Sequence, residues 1–186
     1  MVVRTLSEAH TPRLFAVPGG VLSLSGPALQ EFLGAVLVKG VPFRFMARGS
    51  SMYPFLKDGD VITVEPFRAP EGGRLDLVTG DIVAFCHPGT GRLVVHRVIA
   101  RRPGAVTVRG DNCTAPDGDI EEGALLGRVS RVERDGRPVA LGRGPEKFFI
   151  AYLAKHDALI ALVAGARRFA RPFVLRFRVW RHRRSA

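Results

Sequence analysis

One serine and one histidine in this chain are of the types that nucleophilic catalysis uses. Ser51 lies in Gly49-Ser50-Ser51-Met52-Tyr53-Pro54, directly after the strand-like run FRFMA at residues 43–47. A glycine turn at a strand end presents hydroxyls and turns backbone N–H groups outward, and such groups are the donors an oxyanion requires. A serine hydroxyl is a weak nucleophile and needs a base within hydrogen-bond reach. His96, in the run RLVVHRVIA at 92–100, suits that role, because an imidazole with an unperturbed pKa of about 6.5 is already a competent base at neutral pH. Gly-Ser-Ser turns are also common as plain loops, so the weight of Ser51 comes from what accompanies it.

These residues must be held by strands. Short apolar runs at 43–47 (FRFMA), 61–66 (VITVEP), 81–85 (DIVAF), 92–100 (RLVVHRVIA), 105–109 (AVTVR) and 125–133 (LLGRVSRVE) are separated by glycine, proline or aspartate, the punctuation of turns. They predict a mainly β (α+β) fold, with one antiparallel, barrel-like β unit as the catalytic domain over 43–142. Ahead of it, residues 1–42 form an extension with one helix over Ser25–Lys39. Ser25 caps that helix, Pro27 sits in its first turn, Leu29, Phe32, Leu33, Val36 and Leu37 recur at helical spacing, and Gly40 ends it. Residues 143–186 form a helical, arginine-rich segment broken at Pro172.

At 186 residues and 20.3 kDa the chain is sized for one well-buried core. Two cysteines, Cys86 and Cys113, are too few for a disulfide scaffold. With His87 they make three scattered ligands without a close pair spacing, which is no metal site; no cofactor is expected either. His10, His156 and His182 read as surface residues. The net charge of +11 is unevenly placed: residues 158–186 carry eight arginines and no acid. Such a patch attracts anionic lipid or nucleic acid. The longest apolar run there, ALIALVAGA, is nine residues, whereas a spanning helix needs about 20. An interfacial helix with a basic end and a helix packed on the β unit are the two readings of this segment. Without an apolar leader at the N-terminus, the expected location is cytoplasmic or peripherally membrane-associated.

Six boxes follow one another: the Ser51 turn, Lys57-Asp58-Gly59-Asp60-Val61-Ile62, Gly80-Asp81-Ile82-Val83-Ala84-Phe85, Val95-His96-Arg97-Val98-Ile99, Arg109-Gly110-Asp111-Asn112 and Gly127-Arg128-Val129. The series resembles the type I signal peptidase superfamily of serine proteases, which also includes self-cleaving repressors, and it covers roughly residues 43–132. One branch of that superfamily pairs serine with lysine. The archaeal and endoplasmic-reticulum branch pairs it with histidine. No lysine occurs between residues 58 and 146, and the matching position holds His96, so the resemblance implies the histidine pattern.

A histidine base works with a carboxylate that fixes its tautomer. By the family's register Asp117 matches the acid, with Asp111 of the Gly-Asp-Asn box as the competing candidate and Asp119 less well aligned. The bland alternative for each is a turn aspartate capping its own loop. Gly49 stands where some members carry an oxyanion serine, leaving the Ser51 amide as the main donor, with Ser50 as an additional hydroxyl and Met52 packing beside the site.

The resemblance implies a serine endopeptidase acting on peptide or preprotein substrates, removing signal or leader peptides through a Ser51 acyl-enzyme. Two alternatives stand beside it. One is a catalytically inactive peptidase-fold module whose arginine tail meets anionic lipid or, less favoured, nucleic acid. The other is a self-processing regulator, for which the N-terminal 40 residues leave no room for a DNA-binding domain.

Overall fold

A computed structural model of the chain describes residues 35–37, 39–67, 75–140 and 142–165. It is mainly β: eight strands in one antiparallel sheet, with a few short helical pieces. The strands are β1 (Phe43–Met46), β2 (Val61–Glu65), β3 (Ile82–Cys86), β4 (Leu93–Arg102), β5 (Ala105–Arg109), β6 (Gly118–Glu121), β7 (Leu125–Arg134) and β8 (Arg137–Pro138). Their order is β1-β2-β7-β3-β4-β5-β6, with β8 paired to β7.

Period-two alternation distributes the core. On β3, Ile82 and Ala84 join one apolar cluster while Val83 and Phe85 join another. On β4, Leu93 and Val95 go with the first and Val94 and Val98 with the second. Successive side chains on a strand point to opposite faces, so the central strands are buried on both sides. This is why they read as unbroken apolar runs rather than alternating ones. Register shifts interrupt the pairing at Thr63/Val64, Ala84/Phe85 and between Val98 and Ala100.

The six expected strands all occur, with ends moved by at most two residues. β6 and β8 were not foreseen. β6, Gly-Asp-Ile-Glu, buries only Ile120 and contains few strand formers; it exists because β5 offers it a ladder, from Ala105↔Glu121 to Val108↔Gly118.

Of the helix expected over Ser25–Lys39, residues 35–37 are helical and the rest lies outside the described residues, save Lys39 in the closing turn. Gly40 has φ +74° and donates its N–H to the Leu37 carbonyl, the left-handed helix ending that glycine favours. At the other end the expected single helix is instead two: α1 (Lys147–Lys155) and α2 (Ala158–Gly165), bent by 109°. The break falls at His156-Asp157, where Asp157 takes φ +58°, well before the Pro172 chosen from sequence. Pro172, Trp180 and all eight tail arginines lie outside the described residues.

Helix α1 is fastened to the sheet by polar as well as apolar contacts. Ile150, Ala154 and Leu159 pack with Phe55 and Ile99. The Lys147 ammonium reaches Asp81 at 2.6 Å. Arg109 of β5 donates to the Ala154 carbonyl and to Asp157, both at 2.6 Å, adding a side-chain donor to an end-of-helix carbonyl that also accepts from the Asp157 amide at 3.3 Å. Gly80, with φ +96°, leaves room for this approach; a Cβ there would stand 2.8 Å from the Lys147 carbonyl oxygen.

Candidate active site

The turn after β1 is built by its neighbours. Gly49 takes φ +95°, a conformation open to glycine at little cost, and its amide donates to Asp58 at 2.8 Å. Downstream, the Tyr53 amide closes onto the Ser50 carbonyl at 3.1 Å. Met52 is fully buried in the first apolar cluster and anchors the turn, while Gly49 and Ser50 are exposed and Ser51 is half-buried. The Ser51 amide has no acceptor among the described residues, so it is available to a ligand.

His96 lies in the middle of β4 and is 3% exposed. Its Nε2 is 3.0 Å from the Ser51 hydroxyl, and its Nδ1 is 2.5 Å from Asp117 Oδ2. An ionised carboxylate only accepts, so Nδ1 carries the ring proton and Nε2 is left to accept from Ser51. Burial lowers the His96 pKa below its usual 6.5, opposed by the hydrogen bond to Asp117. Its ground state at neutral pH is the neutral imidazole.

The second candidate acid has another partner. Asp111 is buried, and its two oxygens each lie 2.7 Å from the Arg97 guanidinium. It acts on His96 only through space. Arg97 is fully buried, donates also to the Gly80 and Gly142 carbonyls at 2.8 and 2.7 Å, and stacks 5.4 Å from the Phe55 ring centroid. Asp119 sits on β6 facing solvent, bound to Thr107 and Arg102.

The Gly-Asp-Asn box holds the site together through all three residues. Gly110 makes the space: a Cβ on it would stand 2.6 Å from the Cys113 sulfur, 2.7 Å from the Ser51 carbonyl oxygen and 2.9 Å from His96 Nε2. Asp111 holds Arg97. Asn112 ties down the serine turn, its amide donating to the Ser51 carbonyl at 2.7 Å and its side chain to the Ser50 carbonyl at 3.3 Å. Sequence reasoning singled out Asp111 and missed Gly110, Asn112 and Arg97. The signal was the box itself, since a glycine and an amide beside a candidate acid mark close approach and side-chain-to-backbone bonding.

Neither cysteine is in a disulfide, and both are half-buried. Burial raises the Cys113 thiol pKa, with the Asp117 charge acting in the same direction, so Cys113 stays a thiol beside the site.

A family model described as "Signal peptidase, peptidase S26" matches residues 28–142, well over half of the chain. The chain belongs to the signal peptidase family. No curated protein matches it. The family acts on preproteins, and its match spans every strand of the sheet and stops before α1. Among the described residues, no single helix of this signal peptidase family member is long and apolar enough to cross a membrane.

Proposed function

We propose that the chain is a serine endopeptidase that removes signal or leader peptides, with Ser51 as nucleophile, His96 as general base and Asp117 as the acid that orients it, in the manner of the histidine branch of the family. The observation that carries this is the continuous set of contacts from the Ser51 hydroxyl through the His96 ring to Asp117, at 3.0 and 2.5 Å.

The reaction follows from that order. Ser51 Oγ attacks the scissile carbonyl carbon as its proton passes to His96 Nε2. The carbonyl electrons move onto oxygen, and the Ser51 amide is placed to donate to the resulting oxyanion. Collapse expels the amine, which takes the proton from His96, leaving an ester on Ser51. A water molecule then gives its proton to His96 and attacks the ester. The proton returns to Ser51 Oγ as the acid product leaves. Throughout, Asp117 stays ionised and stabilises the transient imidazolium.

Peripheral contact with an anionic membrane belongs to the same reading. Phe148, Phe149, Tyr152 and Leu162 are exposed on α1 and α2, just ahead of the eight-arginine, acid-free tail. Aromatic side chains beside clustered arginines match a headgroup layer. Flotation with phosphatidylserine-containing and neutral vesicles tests this contact: salt-sensitive binding to the anionic vesicles alone is expected, and equal binding to both would refute it.

The catalytic assignment is tested by incubating a leader peptide with small residues before the cut with the protein and with its Ser51→Ala and His96→Ala variants. Cleavage is expected from the unaltered protein only. A Ser51→Ala variant that still cleaves would remove the assignment.

A further inference from the structure

Asp117 stands between two imidazoles, and only one of them belongs to the relay just described. His87 is the first residue after β3, in the turn to β4. Its backbone is fixed on both sides: its N–H donates to the Arg92 carbonyl at 2.9 Å, and its carbonyl accepts from Thr90 and Gly91 at 3.2 and 2.8 Å. Its ring is fixed too, since the Gly89 amide donates to Nδ1 at 3.1 Å. A nitrogen that accepts carries no proton, so the neutral His87 ring bears its hydrogen on Nε2. That atom faces Asp117 Oδ1 at 4.0 Å, whereas His96 takes Oδ2.

We propose that His87 is a positioning residue for Asp117, its Nε2–H holding the carboxylate oxygen that His96 does not use. This inference rests on the peptidase reading for its consequence in catalysis. Among the described residues the Asp117 carboxylate has no partner other than these two imidazoles. Its backbone is held by one bond, from its amide to the Val108 carbonyl at 3.0 Å, and the next residue, Gly118, has φ +98°. With a single hydrogen bond on one oxygen, a carboxylate still turns about its terminal torsion, which is broad and roughly two-fold. A donor facing the second oxygen narrows that freedom and favours the orientation that keeps the Oδ2 lone pair on the His96 proton. The 4.0 Å span exceeds a direct hydrogen bond. It is the span of a charge–dipole contact or of one bridging water. The outer-shell partners that orient metal-bound histidines matter by about ten-fold or more, and an effect of that order is the expectation for His87.

The side chains of His87 and Asp117 are 27% and 17% exposed, so His87 can be replaced without opening the core. The test compares His87→Ala and His87→Gln with the unaltered full-length chain, using Ser51→Ala as the control. Two readouts are used: steady-state cleavage of a leader peptide, and the downfield proton resonance of His96 Nδ1–H. His87→Ala is expected to lower kcat by about ten-fold with KM little changed and to shift or broaden that resonance. His87→Gln keeps an N–H donor and is expected to restore most of both. Unchanged kcat and resonance in His87→Ala, or a glutamine variant as impaired as the alanine one, would overturn the proposal. If Ser51→Ala cleaves as well as the unaltered chain, the peptidase reading fails instead. The resonance then decides the His87 contact by itself.

Discussion

His96 and Arg97 leave β4 on opposite faces, and each meets its own aspartate: His96 meets Asp117, and Arg97 meets Asp111. The two acids are six residues apart and were rival candidates for one role. Strand geometry separates them, because neighbouring side chains on a strand cannot share a face.

The two aspartates therefore have different consequences when changed. Asp111→Asn leaves the buried Arg97 cation without its counter-charge, which costs about 3–5 kcal/mol; urea unfolding should show the loss directly. Asp117→Asn removes no buried ion pair with arginine and should unfold near the unaltered midpoint, while its kcat falls by roughly 10⁴-fold. A stable, fully active Asp111→Asn variant would contradict the division of labour.

The pH profile follows from the burial of His96. Its pKa in the folded chain lies below 6.5, and catalysis requires the neutral ring. The acid midpoint of the activity profile should therefore lie below 6.5. Asp117→Asn removes the charge and weakens the hydrogen bond that oppose the lowering, so the midpoint of its residual activity should move further toward acid. The same shift affects stability. Between the lowered pKa and 6.5 the unfolded chain binds more protons than the folded one, so stability rises with pH across that window and is fully present above it. A kcat/KM profile with its acid midpoint above 6.5 would contradict this environment for His96.

Gly110→Ala should damage the site without replacing any of the three residues assigned to catalysis. The added methyl meets the Ser51 carbonyl oxygen and His96 Nε2 inside 3.0 Å, and the backbone oxygen cannot swing aside. Overpacking of this kind costs about 1–3 kcal/mol, and the displacement of the Ser51–His96 pair should reduce kcat far more than the melting temperature suggests. Thermal melts and single-turnover cleavage together separate the two effects.

Much of this was legible in the sequence, for identifiable reasons. The buried strands β2 to β5 and β7 announce themselves through apolar, β-branched runs between turn residues. β6 does not, because Gly118-Asp119-Ile120-Glu121 is polar and is recruited by the strand beside it. The bend between α1 and α2 was equally hidden: Lys155-His156-Asp157 is unremarkable as helix sequence, and the turn is enforced from outside, by Arg109 gripping Ala154 and Asp157. Ser51 and His96 stand out as candidates from chemistry and box order, and the fold brings them within 3.0 Å of each other. Asn112 and Arg97 escaped notice because their roles depend on which carbonyls and carboxylates the fold brings to them. His87 was set aside as a poor metal ligand, and its position beside Asp117 depends on how the β3–β4 turn meets the loop entering β6.

The central claim is that Ser51 becomes acylated during turnover. Acid quenching of the protein with an excess of a slowly hydrolysed ester substrate, followed by mass spectrometry of the digested chain, tests it most directly. The predicted result is the acyl mass on the fragment containing Ser51, absent from the Ser51→Ala and His96→Ala variants. Turnover of that substrate by the Ser51→Ala variant, or an adduct on any residue other than Ser51, would contradict it.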